Sequence, residues 1–275
     1  MVTITADWQK VNITVPVYAL RSDVTLWRKM NFDDWDTVTQ RLREDGLSAM
    51  RNRFGHLISN PQQWDRMDAH DWDLIPQPIR AMTDMQMIRY WSGYYQVGAS
   101  LGLPLGTVTN TMSAIVMAES WFEHRARHVN ADGHRDIGLG GFSEHCRRTL
   151  ERLAGEGAVD FNMRGEDYFD PWHATRVVAV WFERMLQEAN GDLDLAVRAY
   201  HRGRLLARRG EGTAYLANVK RLRQRFIRNE ESTPPGIFCS FERPAKRVPV
   251  RPAGLRATPS TAAGGRRWTS ERTRT

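Results

Sequence analysis

The segment PLGTVTNTMSAIVMAES, residues 104–120, carries an acidic residue on a stripe that is otherwise apolar. Leu105, Val108, Met112, Ile115 and Glu119 recur at spacings of 3, 4, 3 and 4, the repeat of one helix face. Pro104 suits the first helical turn, where its missing N–H costs nothing. Glu119 therefore stands in line with four apolar side chains at the C-terminal end of the predicted helix. Burial there strips water from a carboxylate, and the negative end of the helix dipole disfavours its charge. Both effects favour the protonated form, and a carboxyl neutral near pH 7 is what a general acid requires. The competing reading is a helix-end glutamate that turns its head to water.

On either side of this segment the helical pattern continues. Upstream, residues 79–101 predict a long helix with Met82, Met85, Ile88, Trp91 and Tyr95 inward, and Gly102-Leu103 form the turn into the Glu119 helix. Asn60-Pro61 starts a short helix, and Asp33 to Phe54 predicts another. Downstream, periodicity disappears from Trp121 to Phe142. That stretch contains Asn130-Ala131-Asp132-Gly133, a turn signature, and Gly138, Gly140 and Gly141, so it reads as a Gly-rich loop or small hairpin. Helix returns over residues 143–153. Asp170-Pro171 gives an N-cap and a first-turn proline, Asp192 caps a shorter helix ending in Tyr200, and Thr213 opens a last one.

The expected class is all-α with one irregular insertion. The expected divisions are an extended N-terminal segment at 1–30, a helical region at 31–75, the main domain at 76–228 and a disordered basic tail at 229–275. In the N-terminal segment VTIT and VNITV are β-prone, and Pro16 limits the second piece to an edge strand or extended arm.

Composition excludes several functions. The 275 residues are 41% hydrophobic and 26% charged, ordinary for a globular protein. No run of 18 apolar residues predicts a transmembrane helix. The N-terminus does not read as a Sec signal. Of the net charge of +7, the tail from Asn229 holds +5, with nine Lys or Arg against four Glu. The basic character thus reports a tail without the aromatic interleaving of a stacking platform, and no nucleic-acid partner is expected. Cys146 and Cys239 read as two unpaired thiols. His70 among Asp65, Asp68, Asp71 and Asp73 reads as a solvated acidic face, and His124, His128, His134 and His145 as surface histidines. HExxH is absent, and neither a metal nor a cofactor is expected.

Four pieces then fall in order: AESWF with Glu119-Ser120, DIGLGGFSE at 136–144, AYHRG at 199–203, and EGTAYLANV from Glu211. Their order and spacing resemble the soluble lytic transglycosylase catalytic domain, which has the lysozyme-like α-helical fold. The resemblance covers residues 79–228. It implies that Glu119 is the catalytic acid/base and Ser120 its companion. It implies that Gly138 and Leu139 begin the substrate-binding loop, that Tyr200 faces the carboxyl, and that Tyr215 lines the same groove. Gly140 and Gly141 stand where that family has Met and Gln, and His201 where it has Asn. A glycine at 141 offers no side-chain hydrogen bond, so either Ser143 or Glu144 substitutes or sugar binding weakens.

The resemblance further implies peptidoglycan glycan strands as substrate, cleaved by one carboxyl acting as acid and then base, with 1,6-anhydro ring closure. A periplasmic or extracellular location follows from the substrate, and a cytoplasmic one stays open. Two alternatives remain at this stage. One is a goose-type-lysozyme-like inverting hydrolase in which Asp132 or Asp136 positions water. The other is a non-catalytic glycan-binding relative. Oligomeric state is not legible.

Overall fold

The computed structural model describes residues 2–6 and 11–15, and residues 53–232 apart from 59, 76, 131 and 132. The expected helix from Asp33 to Phe54, but for its last two residues, lies outside the described residues, as do Asp132, Cys239 and the chain beyond 232. The two β-prone pieces pair with each other. Strand β1, Val2–Ala6, runs antiparallel to β2, Val11–Val15, with Val2 opposite Val15 and Ala6 opposite Val11. The second strand ends immediately before Pro16, which has no N–H to continue a ladder.

The rest is helical, as expected. Short helices α1, Pro61–Trp64, and α2, Ala69–Asp73, lead into α3, Gln77–Tyr95, and α4, Leu105–Ser120. A small hairpin follows, β3 Arg127–Val129 with β4 Arg135–Ile137, where the irregular stretch was expected. Then come α5, Glu144–Gly155, α6, Pro171–Glu188, α7, Leu193–Arg202, α8, Arg204–Arg208, and α9, Thr213–Ser232.

Local chemistry sets most of the boundaries. The Asp170 carboxylate accepts from the Trp172 and His173 amides at the start of α6, and Asp192 accepts from Leu195 N at the start of α7. Helix α3 stops six residues short of the expected Leu101. Gln96 and Gly98 both turn to positive φ there, and a short 3-10 turn, Ala99–Leu101, carries the chain round. Pro104 sits one position earlier than expected, as the extended N-cap residue of α4.

Helix α4 is the centre of the molecule. Val108, Met112 and Ile115 are fully buried, but so are Ala114 and Val116 on other faces, and only Leu105 and Gly106 at its start are exposed. A helix apolar on all sides must be surrounded. Helices α3 and α9 pack against it, and α6 packs on α3. Leu57, Trp64, Ala69 and Trp72 share this same core. Thr111 satisfies its hydroxyl inside α4 by donating to Thr107 O at 2.7 Å.

The acidic face around His70 is exposed at Asp65, Asp68, His70 and Asp71, as expected, and its aspartates also serve as structural partners. Asp68 forms a capping box with Asp71 at the start of α2, and Asp65 accepts from the Trp172 indole at 2.9 Å. Asp73 receives Arg125 Nε at 3.0 Å and lies 2.9 Å from His124 Nε2. His124 is not a surface histidine, being 1% exposed. Burial pushes its pKa down to about 3, so the neutral ring donates from Nε2 to Asp73.

Candidate functional site: a buried carboxyl under a glycine turn

Helix α4 ends at Ser120, and the chain leaves it through Trp121 and Phe122, both at positive φ of 55° and 59°. Two successive bulky residues in that region are costly and persist only where their surroundings enforce them. Here the enforcement is electrostatic. The next three residues are each anchored: Glu123 to Arg80 at 3.1 Å, and His124 and Arg125 to Asp73. The sharp exit leaves Glu119 facing an open cleft of about 560 Å³.

Glu119 is 16% exposed at its side chain. Its Oε1 accepts a 2.6 Å hydrogen bond from the Tyr215 hydroxyl of α9. Burial raises the carboxyl pKa to about 7, the Tyr215 hydrogen bond opposes that rise, and the field of Asp136 adds to it. Tyr215 is itself pushed well above the usual phenol range by burial and by Glu119, so it stays a donor. Near neutral pH a large share of Glu119 therefore carries its proton. With Oε1 accepting from Tyr215, that proton belongs on Oε2.

Oε2 lies against the turn at Gly140-Gly141. A Cβ built on Gly141 would stand 2.4 Å from Oε2, and Gly141 has φ +58°. Both facts restrict this position to glycine. A Cβ on Gly140 would meet the Phe142 ring at 2.3 Å and the Tyr200 hydroxyl at 2.8 Å. The departure from a Met-Gln turn is thus a matter of space in this chain, since the side chains of Phe142, Tyr200 and Glu119 occupy the ground that a Cβ at 140 or 141 would need. Ser143 lines the cleft, and both it and Glu144 have partners of their own. Ser143 Oγ caps α5 by accepting from Cys146 N, and Glu144 pairs with Arg148 and lies 3.7 Å from His134.

Both tyrosines lie near Glu119, but only one hydrogen-bonds to it. The hydroxyl on Glu119 is that of Tyr215, whereas Tyr200 donates to Gly140 O at 2.9 Å and braces the turn. Tyr200 still lines the cleft, together with Gly140 and Gly141. Ser120, Gly138 and Leu139 lie behind that wall. The Ser120 hydroxyl sits 2.9 Å from Leu139 O and 3.1 Å from Val116 O, stitching the end of α4 to the turn. Leu139 is fully buried, and a Cβ on Gly138 would meet Tyr168 O at 2.3 Å. These three residues shape the cleft instead of presenting groups to it.

Other lining residues escaped the sequence reading. Trp181 and Arg184 of α6 line the far wall, and Leu205 of α8 stands 68% exposed on the rim. Only the apolar pair Leu205-Leu206 between arginines hinted at α8. His201 also enters the cleft wall. Its one signal was the departure from Asn in the AYHRG piece. Among the described residues no group of three or more His, Cys, Asp or Glu could hold a metal ion, and no helix is long and apolar enough to cross a membrane. Cys146 is a buried free thiol.

Residues 105–221 fit the family model of the Transglycosylase SLT domain. Comparisons with curated proteins and with solved structures found no match.

Proposed function

We propose that this chain, which carries a Transglycosylase SLT domain over residues 105–221, is a lytic transglycosylase that cuts the β-1,4 bond between N-acetylmuramic acid and N-acetylglucosamine in peptidoglycan. Glu119 Oε2 donates its proton to the glycosidic oxygen as the bond from C1 to that oxygen breaks. The carboxylate so formed then takes the proton of the muramic acid C6 hydroxyl while that oxygen bonds to C1. The proton returns to Glu119, the product carries a 1,6-anhydro ring, and no water is consumed. An intramolecular nucleophile has a high effective concentration and asks for little further activation. One carboxyl is enough, in contrast to hydrolases that need two.

The observation that carries this reading is the 2.6 Å hydrogen bond from Tyr215 to Glu119 Oε1, which leaves Oε2 as the oxygen that exchanges the proton at the cleft. Such an enzyme acts where peptidoglycan lies, in the periplasm or outside the cell. Purified peptidoglycan digested with wild type and Glu119→Gln, with products weighed by mass spectrometry, tests it. Anhydro-muropeptides from wild type alone are expected. Release by Glu119→Gln at the wild-type rate, or no release by either, would sink it.

A second reading has one observation behind it. Asp136 lines the same cleft, its Oδ2 is held by Asn130 at 2.9 Å, and its buried Oδ1 has no hydrogen-bond partner among the described residues. A carboxylate so placed could orient a water for inverting hydrolysis. That outcome gives reducing ends labelled from oxygen-labelled water, and it would be lost in Asp136→Asn.

A further inference from the structure

His201 closes α7 directly after Tyr200, and its ring lies face to face on the Tyr215 phenol, with centroids 4.2 Å apart and planes 4° from parallel. Its Nδ1 is 4.0 Å from Glu119 Oε1, the oxygen that Tyr215 holds, and the side chain is 33% exposed. An asparagine here could not cover an aromatic face. We propose that His201 is a positioning residue for Glu119, clamping the Tyr215 phenol by stacking and adding a titratable charge beside the carboxyl. The proposal rests on the reading of Glu119 as the proton donor.

The clamp follows from geometry. Tyr215 reaches Glu119 from α9, a different helix from the one that carries the acid. A phenol that could rock on its own χ angles would lose the short hydrogen bond, and a parallel ring against its face removes that freedom. Stacking of this kind favours flat aromatic partners whether the imidazole is neutral or charged. The charge follows from position. The ionisable groups facing the imidazole are Glu119 from α4, Tyr215 from α9 and Asp136 from the hairpin, with Arg202 beside it on its own helix. Burial and Arg202 favour the neutral ring, and Asp136 opposes them. At neutral pH the ring is therefore an uncharged plate. In acid it becomes a cation next to the carboxyl and favours that carboxyl's ionised form.

Two variants separate the roles. His201→Phe keeps a flat ring and removes the charge, and His201→Ala removes both. The carboxyl signal of Glu119, assigned by its loss in Glu119→Gln, is followed by 13C NMR across the acid and neutral range in all three proteins. Wild type is expected to show a main step near 7, where the carboxyl itself titrates, and a smaller step at lower pH. Both His201 variants should lose the smaller step. On peptidoglycan, His201→Ala should lose about tenfold in kcat with KM changed less than about twofold, and His201→Phe should stay within about threefold of wild type near neutral pH without its acid-side inflection. A single-step titration in wild type, or wild-type kcat and pH profile in His201→Ala, overturns the proposal. A merely structural role would lower thermal stability and leave both profiles in place. If wild type cleaves no glycan, the functional reading fails, and the NMR titration still decides the role of His201.

Discussion

At Glu119 the burial that makes a useful acid also makes a costly residue. Its folded pKa of about 7 stands above the ordinary carboxyl value of 4.5. A carboxyl raised in this way contributes its full share of stability below about pH 4.5, and that share is lost as pH rises through 7. Glu119→Gln has no such loss and can still accept from Tyr215. It should therefore match wild type in acid and exceed it by about 3 kcal/mol at pH 8 in denaturant titrations, while losing cleavage. The same proton sets the rate: kcat/KM should fall on the alkaline side with a midpoint near 7, and the alkaline limb reports the acid form of the free enzyme. Gly141 sits on the other side of that proton. Gly141→Ala puts a methyl 2.4 Å from Oε2 and strains a backbone at φ +58°, so activity should drop by about 100-fold. Gly141→Gln, which restores the residue of the related loop, should do no better. Either variant retaining wild-type rates would mean that the turn moves freely away from Glu119.

Among the elements, the end of α4, the glycine turn and the last helices divide the work through two phenols. Tyr215→Phe removes the hydrogen bond on Oε1 and should cut kcat by 10-fold or more, shifting the alkaline limb upward because that bond holds the carboxyl pKa down. Tyr200→Phe removes a bond to Gly140 O and should cost about 1 kcal/mol in stability with a smaller kinetic effect. If kinetics show the reverse order, Tyr200 is the phenol that serves the acid. This distinction was not legible in the sequence. The Glu119 stripe and the Asp170 and Asp192 caps were, because periodicity and capping are local properties written in neighbouring residues. Which tyrosine reaches residue 119 depends on how α7 and α9 lie across α4. The partnership of His124 with Asp73, 51 residues away, is equally nonlocal. The overrun of α3 has the same kind of cause, since Val97 and Leu101 keep apolar spacing although the backbone has already turned at Gln96. His201 was visible only as a departure, and its meaning needed the ring of Tyr215 beneath it.

Across the whole molecule, helix α3 brings a second group of buried ionisable side chains to the far side of the strained exit from α4. Arg80 donates to Ile75 O and pairs with Glu123. One turn along α3, Asp84 is fully buried, and neither of its oxygens has a hydrogen-bond partner among the described residues. Burial raises its pKa well above the carboxylate range, Arg80 opposes that rise, and Glu123 and Asp170 add to it. Burial thus favours the protonated form of Asp84 in the fold. The sign is the same as at Glu119: stability is complete below the unfolded value near 3.8 and declines as pH rises toward the folded value. Asp170 behaves alike, with a pKa raised to about 7 mainly by burial, but its decline is nearly finished by pH 8. Asp84 carries a cost of the same sign without a hydrogen bond to offset its burial. Asp84→Asn mimics the neutral form at every pH and leaves the Arg80–Glu123 pair intact. It should unfold in urea with a flatter pH dependence above the unfolded value near 3.8, and be more stable than wild type at the alkaline end of the range, less whatever its new amide leaves unpaired. Because Arg80 holds the segment after Glu119 from this same helix, the variant should cleave peptidoglycan at the wild-type rate near neutral pH. Parallel stability curves for the two proteins would show that Asp84 is ionised in the fold and serves Arg80 as a second counter-charge.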